Sequence, residues 1–183
     1  MSSSGIVLAG LAVLFLGWIA VGCNKSDELA SNPPSNNATA DVVGKRIEFR
    51  SGGNSEPYRI SGWSKTETEF TWSEGTAAKI ALPISPHAGA LTLKVTMAAL
   101  IHEPELPFQP VEVYANGQKI VEWEVGNTAE FVATIPGEIT KNGGALEIEF
   151  RTPKAVSPKT LGINADPRVL GICVRSVELA KTS

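Results

Sequence analysis

Val111-Glu-Val-Tyr-Ala-Asn116-Gly117-Gln-Lys-Ile-Val-Glu-Trp123 places two apolar-rich runs on either side of an Asn-Gly pair. In Val111–Ala115 apolar and polar residues alternate, as they do along a strand with one wet face. Asn and Gly accept the positive φ that a tight hairpin turn demands. The stretch therefore predicts two antiparallel strands joined by a type I′ turn.

The same signals repeat along the chain. Candidate strands are 46–50, 58–61, 69–73, 78–82, 91–99, 111–115, 119–125, 130–135, 145–151 and 170–179. Leu91, Leu93, Val95 and Met97 oppose Thr92, Lys94 and Thr96; Leu146, Ile148 and Phe150 oppose Glu147, Glu149 and Arg151. Lys141-Asn-Gly-Gly144 reads as a further turn. Pro83, Pro86, Pro104, Pro107, Pro110, Pro136, Pro153, Pro158 and Pro167 read as lying between runs, where a missing N–H breaks no ladder. In the last run Ile172 and Val174 share one parity and Val177 and Leu179 the other, which predicts a bulge near Arg175-Ser176. No window of helical period is long enough for a core helix, and no internal repeat is present. Many short antiparallel strands at regular spacing predict an all-β, jelly-roll-like sandwich over residues 44–183.

The N-terminal part has a different character. Residues 5–22 are an apolar run ending in small residues, Ala20-Val21-Gly22, immediately before Cys23. A short apolar segment with a small-residue cleavage site is the pattern of an export signal. With the cysteine at that position, it resembles a bacterial lipobox. That resemblance implies a signal peptide over 1–22, lipidation (palmitate) of Cys23 and membrane attachment through N-terminal acyl chains. Met1–Gly5 carries no Lys or Arg, so an uncleaved membrane anchor over the same residues stays open; roughly 17–25 apolar residues suffice to span a bilayer. Both readings put the following domain in the cell envelope, outside the cytoplasm. Asn24 stands where some Gram-negative lipoproteins carry an inner-membrane retention Asp, which mildly favours the outer membrane; the periplasmic face and the cell surface both stay open. Residues 23–43 are polar and rich in Asn and Pro, the composition of a disordered tether.

The formal charge is −3, with scattered Lys and Arg and no basic run. That balance excludes a nucleic-acid binder. Cys23 aside, Cys173 stands alone within an apolar run and reads as a small buried residue.

Two segments, Ile60-Ser-Gly-Trp63-Ser64 through Ile80 and Ser157-Pro158 through Ile172, resemble β-sandwich modules appended to bacterial cell-envelope glycosyltransferases. Val113-Tyr-Ala-Asn116-Gly117 between them carries the same likeness. Those modules are uncharacterised or described as carbohydrate-binding-like. The resemblance covers about residues 58–179 and implies a non-catalytic glycan-binding role. The chain departs from the pattern at Thr66, where the family often has Pro, and carries no transferase domain.

On that reading the ligand-binding candidates are Trp63, Glu67, Trp72, Asp166 and Arg168. Sugar rings present C–H faces that stack on flat aromatics, and Trp offers the widest such surface. Arg168 can grip a carboxylate through two parallel bonds. The plainer reading has both tryptophans in the core and Arg168 ion-paired to Glu67 or Asp166. Of the two tryptophans, Trp63 in its Gly-Trp-Ser corner reads as the more exposed and Trp72 as the more buried. No catalytic residue is assigned. The chain has no Gly-x-Ser-x-Gly elbow and no His-Glu-x-x-His motif; nothing in the sequence orders a Ser64–His–Asp166 triad, and the carboxylate pairs Glu122/Glu124 and Glu147/Glu149 read as solubilising residues rather than a glycosidase pair. No cofactor and no metal are expected. The sequence thus predicts a non-enzymatic lipoprotein that binds an envelope polysaccharide or assists a glycan-processing enzyme. The alternatives are a structural or assembly lipoprotein with an envelope protein partner and, more distantly, an esterase-like hydrolase.

Overall fold

The computed structural model describes residues 40–182. The expected signal, Cys23 and most of the tether lie outside the described residues. Ten strands form in chain order: β1 (Arg46–Glu48), β2 (Arg59–Ser61), β3 (Thr71–Glu74), β4 (Ala77–Ile84), β5 (Leu91–Ala99), β6 (Gln109–Ala115), β7 (Gln118–Val125), β8 (Ala129–Ile135), β9 (Gly144–Arg151) and β10 (Leu170–Lys181). Helix among the described residues is limited to a 3-10 turn at Glu56–Tyr58 and the short α1 (Gly137–Thr140). All ten predicted runs are strands.

The strands make two five-stranded antiparallel sheets. In the front sheet, β10 lies between β5 and a composite edge, with β8 beyond β5. The composite edge is β3 beside Leu170–Val174 and β1 beside Ser176–Glu178. The back sheet runs β2-β4-β9-β6-β7. The Asn116-Gly117 turn has φ of 46° and 79°, as the hairpin reading requires. The β10 bulge falls between Val174 and Ser176, where the parity change placed it.

The core fills the space between the sheets. Leu91, Leu93, Val95 and Met97 face it from the front, and Ile80, Leu82, Ile148 and Phe150 from the back; all are fully buried. Aromatic pairs close its margins. Trp123 meets Phe131 at 5.5 Å between ring centroids, and Phe49 meets Trp63 at 5.1 Å.

Two prolines depart from expectation. Pro83 and Pro110 lie inside β4 and β6 rather than between runs. Each sits where one neighbouring strand has already ended. β2 pairs with β4 only around Lys79–Ile80, and β9 pairs with β6 only from Glu112 onward. An absent N–H costs nothing on such a free side. The folded body also begins before residue 44. Val42 is 1% exposed in the core, and Asp41 accepts hydrogen bonds from the Val43 and Ser85 amides at 2.8 and 3.1 Å. Those donors hold the Asp41 carboxyl below the ordinary carboxylate range.

Candidate functional site

The candidate residues separate onto two surfaces. β3 pairs Thr71 with Val174 and Trp72 with Cys173. Val174 belongs to the core, so Thr71 and Ser73 point inward while Trp72 and Glu74 point outward. Thr71 and Ser73 are fully buried, yet their hydroxyls are satisfied. Thr71 donates to the Phe49 carbonyl at 2.7 Å, and Ser73 Oγ accepts from the Ile172 amide at 2.9 Å. Trp72 is left half-buried on the front sheet's outer face, edge-to-face with Phe70 at 5.7 Å. Arg175, at the bulge, lies 5.8 Å from the Phe70 ring centre and donates to Glu69 at 2.8 Å.

Glu67, Asp166 and Arg168 come together beside this aromatic pair. Arg168 holds Asp166 through Nε (3.0 and 3.1 Å) and Nη2 (2.6 Å), and its own amide donates to Asp166 Oδ1 at 2.9 Å. Glu67 approaches Nη2 at 3.8 Å. The guanidinium keeps the Asp166 carboxyl below the usual carboxylate range, and Asp166 in turn raises Arg168. Glu67 and Glu74 add to the field on Arg168. Glu74 and Trp72 are two residues apart on one face of β3, so the acidic-basic cluster and the aromatic pair share that rim. The ion pair foreseen in the plainer reading is present: Arg168 fixes the Asp166 carboxylate, and Glu67 stands at longer range from the same guanidinium.

Trp63 faces the other way. Its indole N–H donates to the Lys79 carbonyl at 2.8 Å, and its ring lies against Phe49 and, edge-on at 6.3 Å, against Phe150. Both tryptophans are half-buried: Trp63 is anchored in the core margin, and Trp72 stands on the outer face of the front sheet. Part of Trp63 still reaches solvent in an open cleft of about 360 Å³ at the β2 edge, lined also by Glu56, Arg59, Ile60, Ser61 and Gly62. Gly62 is required there. Its φ is +73°, and a Cβ would run into the Ala77 carbonyl.

The hydrolase arrangement is not assembled among the described residues. Ser64 is 7% exposed and donates to the Lys65 carbonyl, Asp166 is held by Arg168, and His102 lies near Glu105. Cys173, the cross-strand neighbour of Trp72, is buried, and burial pushes its thiol up, away from the nucleophilic thiolate. On the back sheet's outer face, Lys79 engages Glu147 at 2.9 Å and Arg151 engages Glu149 at 2.8 Å. Lys119 bridges Glu112 and Glu122. Glu147 and Glu149, two apart along β9, and Glu112 and Glu122, opposite each other on β6 and β7, are thus neutralised by neighbouring cations.

Sequence reasoning missed Phe70, Arg175, Glu56 and Arg59. A parity count over 69–73 pairs Phe70 with Trp72 on one face and signals the first. Nothing in the sequence announces the others, because their setting depends on strands far away in the chain.

No protein-family model matches the chain, and no curated protein matches it. Among solved structures it is similar to a family 6 carbohydrate-binding module from Clostridium stercorarium in complex with cellobiose, with 12% identity and a TM-score of 0.47 over 80% of this chain and 99% of that one. It is also similar to a family 35 carbohydrate-binding module from Clostridium thermocellum, with 13% identity and a TM-score of 0.41 over 74% of this chain and 97% of that one. A family 36 module in complex with calcium and xylotriose gives 15% identity and a TM-score of 0.43 over 74% of this chain and 98% of that one. At these identities the likeness assigns no residue a role.

Proposed function

We propose that this chain is a lipid-anchored, extracytoplasmic β-sandwich that binds an envelope glycan without transforming it. The observation that carries the binding role is the Phe70–Trp72 pair on the outer face of the front sheet, beside Glu67, Asp166 and Arg168. Outward positions of a sandwich are ordinarily polar. An outward indole offers a flat surface to sugar C–H groups, and a rim of carboxylates held in place offers acceptors for hydroxyls. Arg168 fixes the Asp166 carboxylate in the protein, so little side-chain freedom is lost when a ligand docks. The anchoring half rests on sequence alone: the apolar run 5–22, its small-residue end and Cys23.

The test is retention on insoluble peptidoglycan and envelope polysaccharide, for the wild type and for Trp72→Ala. The expected result is at least a tenfold loss of retention in a variant that still unfolds cooperatively. Unchanged retention removes this surface from the function. Incorporation of labelled palmitate, lost in Cys23→Ala, tests the anchor independently.

A protein partner is the second reading, favoured by β8 at the front sheet's edge, where Val132 is 50% exposed. Envelope cross-linking through Val132→Cys, with no glycan retained by the wild type, selects it.

A further inference from the structure

The outward surface beside Trp72 continues across the front sheet. Trp72 on β3 stands opposite Cys173 on β10, and Cys173 stands opposite Ala98 on β5. Past the bulge, Ser176 lies between Glu48 of β1 and Thr96 of β5. Val95, Met97, Val174 and Val177 fill the core, so Thr96, Ala98, Cys173 and Ser176 next to them point outward. These four side chains are small and carry no charge. The next outward row is taller, with Glu178 opposite Lys94 and Lys94 opposite Val132. A low floor therefore runs from Trp72 across β10 and β5, bounded on one side by that row. Neighbouring strands lie about 4.8 Å apart, so the floor reaches about 10 Å from the β3 axis.

Ser176 is an independent sign of a ligand on this floor. It is 3% exposed although it faces outward. The buried hydroxyls of Ser64, Thr71, Ser73, Thr140 and Ser157 are hydrogen-bonded within the protein, and that of Thr152 is sealed from water. Ser55 and Ser176 make no side-chain hydrogen bond to another described residue, and of these two only Ser176 stands on a sheet. Its hydroxyl, unlike that of Thr152, is not closed off. Such a group is satisfied from the solvent side, by water or by a ligand hydroxyl laid on the floor.

The occupant follows from size and charge. The floor holds no cation to attract an acidic polymer. A neutral sugar chain has C–H groups on its ring faces and hydroxyls along its edges, and both find a counterpart here. A single sugar covers only the indole. Resting on the glycan-binding reading above, we infer that the Trp72 site takes a neutral, extended oligosaccharide of several consecutive rings, one stacked on Trp72 and the next lying across Cys173, Ala98, Ser176 and Thr96.

The experiment is a 15N NMR titration of the full-length chain with N-acetylglucosamine and with its β-1,4-linked tetramer. Both probes are expected to shift the Trp72 indole N–H. Only the tetramer shifts the amides of Thr96, Ala98 and Ser176, and it binds at least tenfold more tightly than the monomer. Ala98→Arg and Thr96→Arg raise the floor; each removes most of that gain and leaves monomer binding at Trp72 unchanged. Ser176→Ala breaks no side-chain bond within the protein and weakens tetramer binding at least threefold. Equal affinity for monomer and tetramer, floor amides that do not move, or full tetramer binding by these variants each overturns the inference. No saturation by either probe overturns it too. Retention on peptidoglycan that still depends on Trp72 then leaves the glycan-binding reading standing, whereas loss of that retention takes both down.

Discussion

At the scale of single residues, the two tryptophans show what a local pattern can and cannot carry. In Phe70-Thr71-Trp72-Ser73 the aromatics share one parity and the hydroxyl residues the other. Hydropathy alone turns the aromatics inward. The structure turns them outward because Thr71 and Ser73 bond to backbone groups of other segments, at Phe49 and Ile172. Buried hydroxyls are tolerated once they are paired, and those partners are remote in sequence. Trp63 goes inward for the complementary reason that its N–H finds the Lys79 carbonyl.

Gly62 offers a test at the same scale. A side chain there meets the Ala77 carbonyl and lies 2.8 Å from the Ala78 Cα, both backbone atoms that cannot step aside. Gly62→Ala should cost more than about 2 kcal/mol in denaturant unfolding. Gly75, with φ +87° and open space around it, isolates the conformational part. Gly75→Ala should cost only about 1 kcal/mol. Equal losses at the two sites would mean that β2 can shift away from β4 without penalty.

Among the elements, β10 was the most fully legible. Its parity change required one extra residue, and the register with β5 skips there. The hairpin of β6 and β7 was read with similar completeness, since Asn-Gly has few other uses between alternating runs. Strand ends were less legible. β1 stops at Glu48 although apolar Phe49 follows, because the Phe49 amide turns to the Arg175 carbonyl at the bulge. Deleting Arg175 removes the extra residue and leaves Ile172, Val174, Val177 and Leu179 at one parity, so β10 can pair with β5 without a bulge and keep all four inward. That variant should keep a cooperative thermal transition and bind no hydrophobic dye. Loss of the cooperative transition would show that the bulge itself, and not the inward parity alone, is needed by the front sheet.

For the whole molecule, the class of fold followed from strand count and turns, whereas the sheet order did not. No local feature tells β10 to lie between β1, β3 and β5, and the gathering of Glu67 with Arg168 depends on that order. The net electrostatics give a global prediction. Asp41, Glu112, Glu149 and Asp166 all have folded-state pKa values below the ordinary carboxylate range, chiefly through hydrogen bonds from amides, Lys119, Arg151 and Arg168. Their unfolded values are about 3.9 for Asp and 4.3 for Glu. The native state then binds fewer protons than the unfolded chain at acid pH, so stability is level above about pH 5 and falls as pH drops through 4 and below. Asp166→Asn should make that acid limb shallower. Melting temperatures that do not move between pH 7 and pH 3 would contradict the assignment.

The position of β10 has a further consequence for how the chain reaches this state. It is the most C-terminal of the ten strands and touches three others, with Arg46 paired to Glu178 across nearly the whole body. Contacts so distant in sequence are slow to form, because loop closure must precede any reward. On a ribosome, the front sheet stays unfinished until residues 170–181 emerge. β5 and β8 can pair beforehand across the intervening β6 and β7, but β1 and β3 have nothing to join. Completion of the front sheet is thereby deferred until β10 is available, and the strands made before it stay open and accessible to chaperones until then.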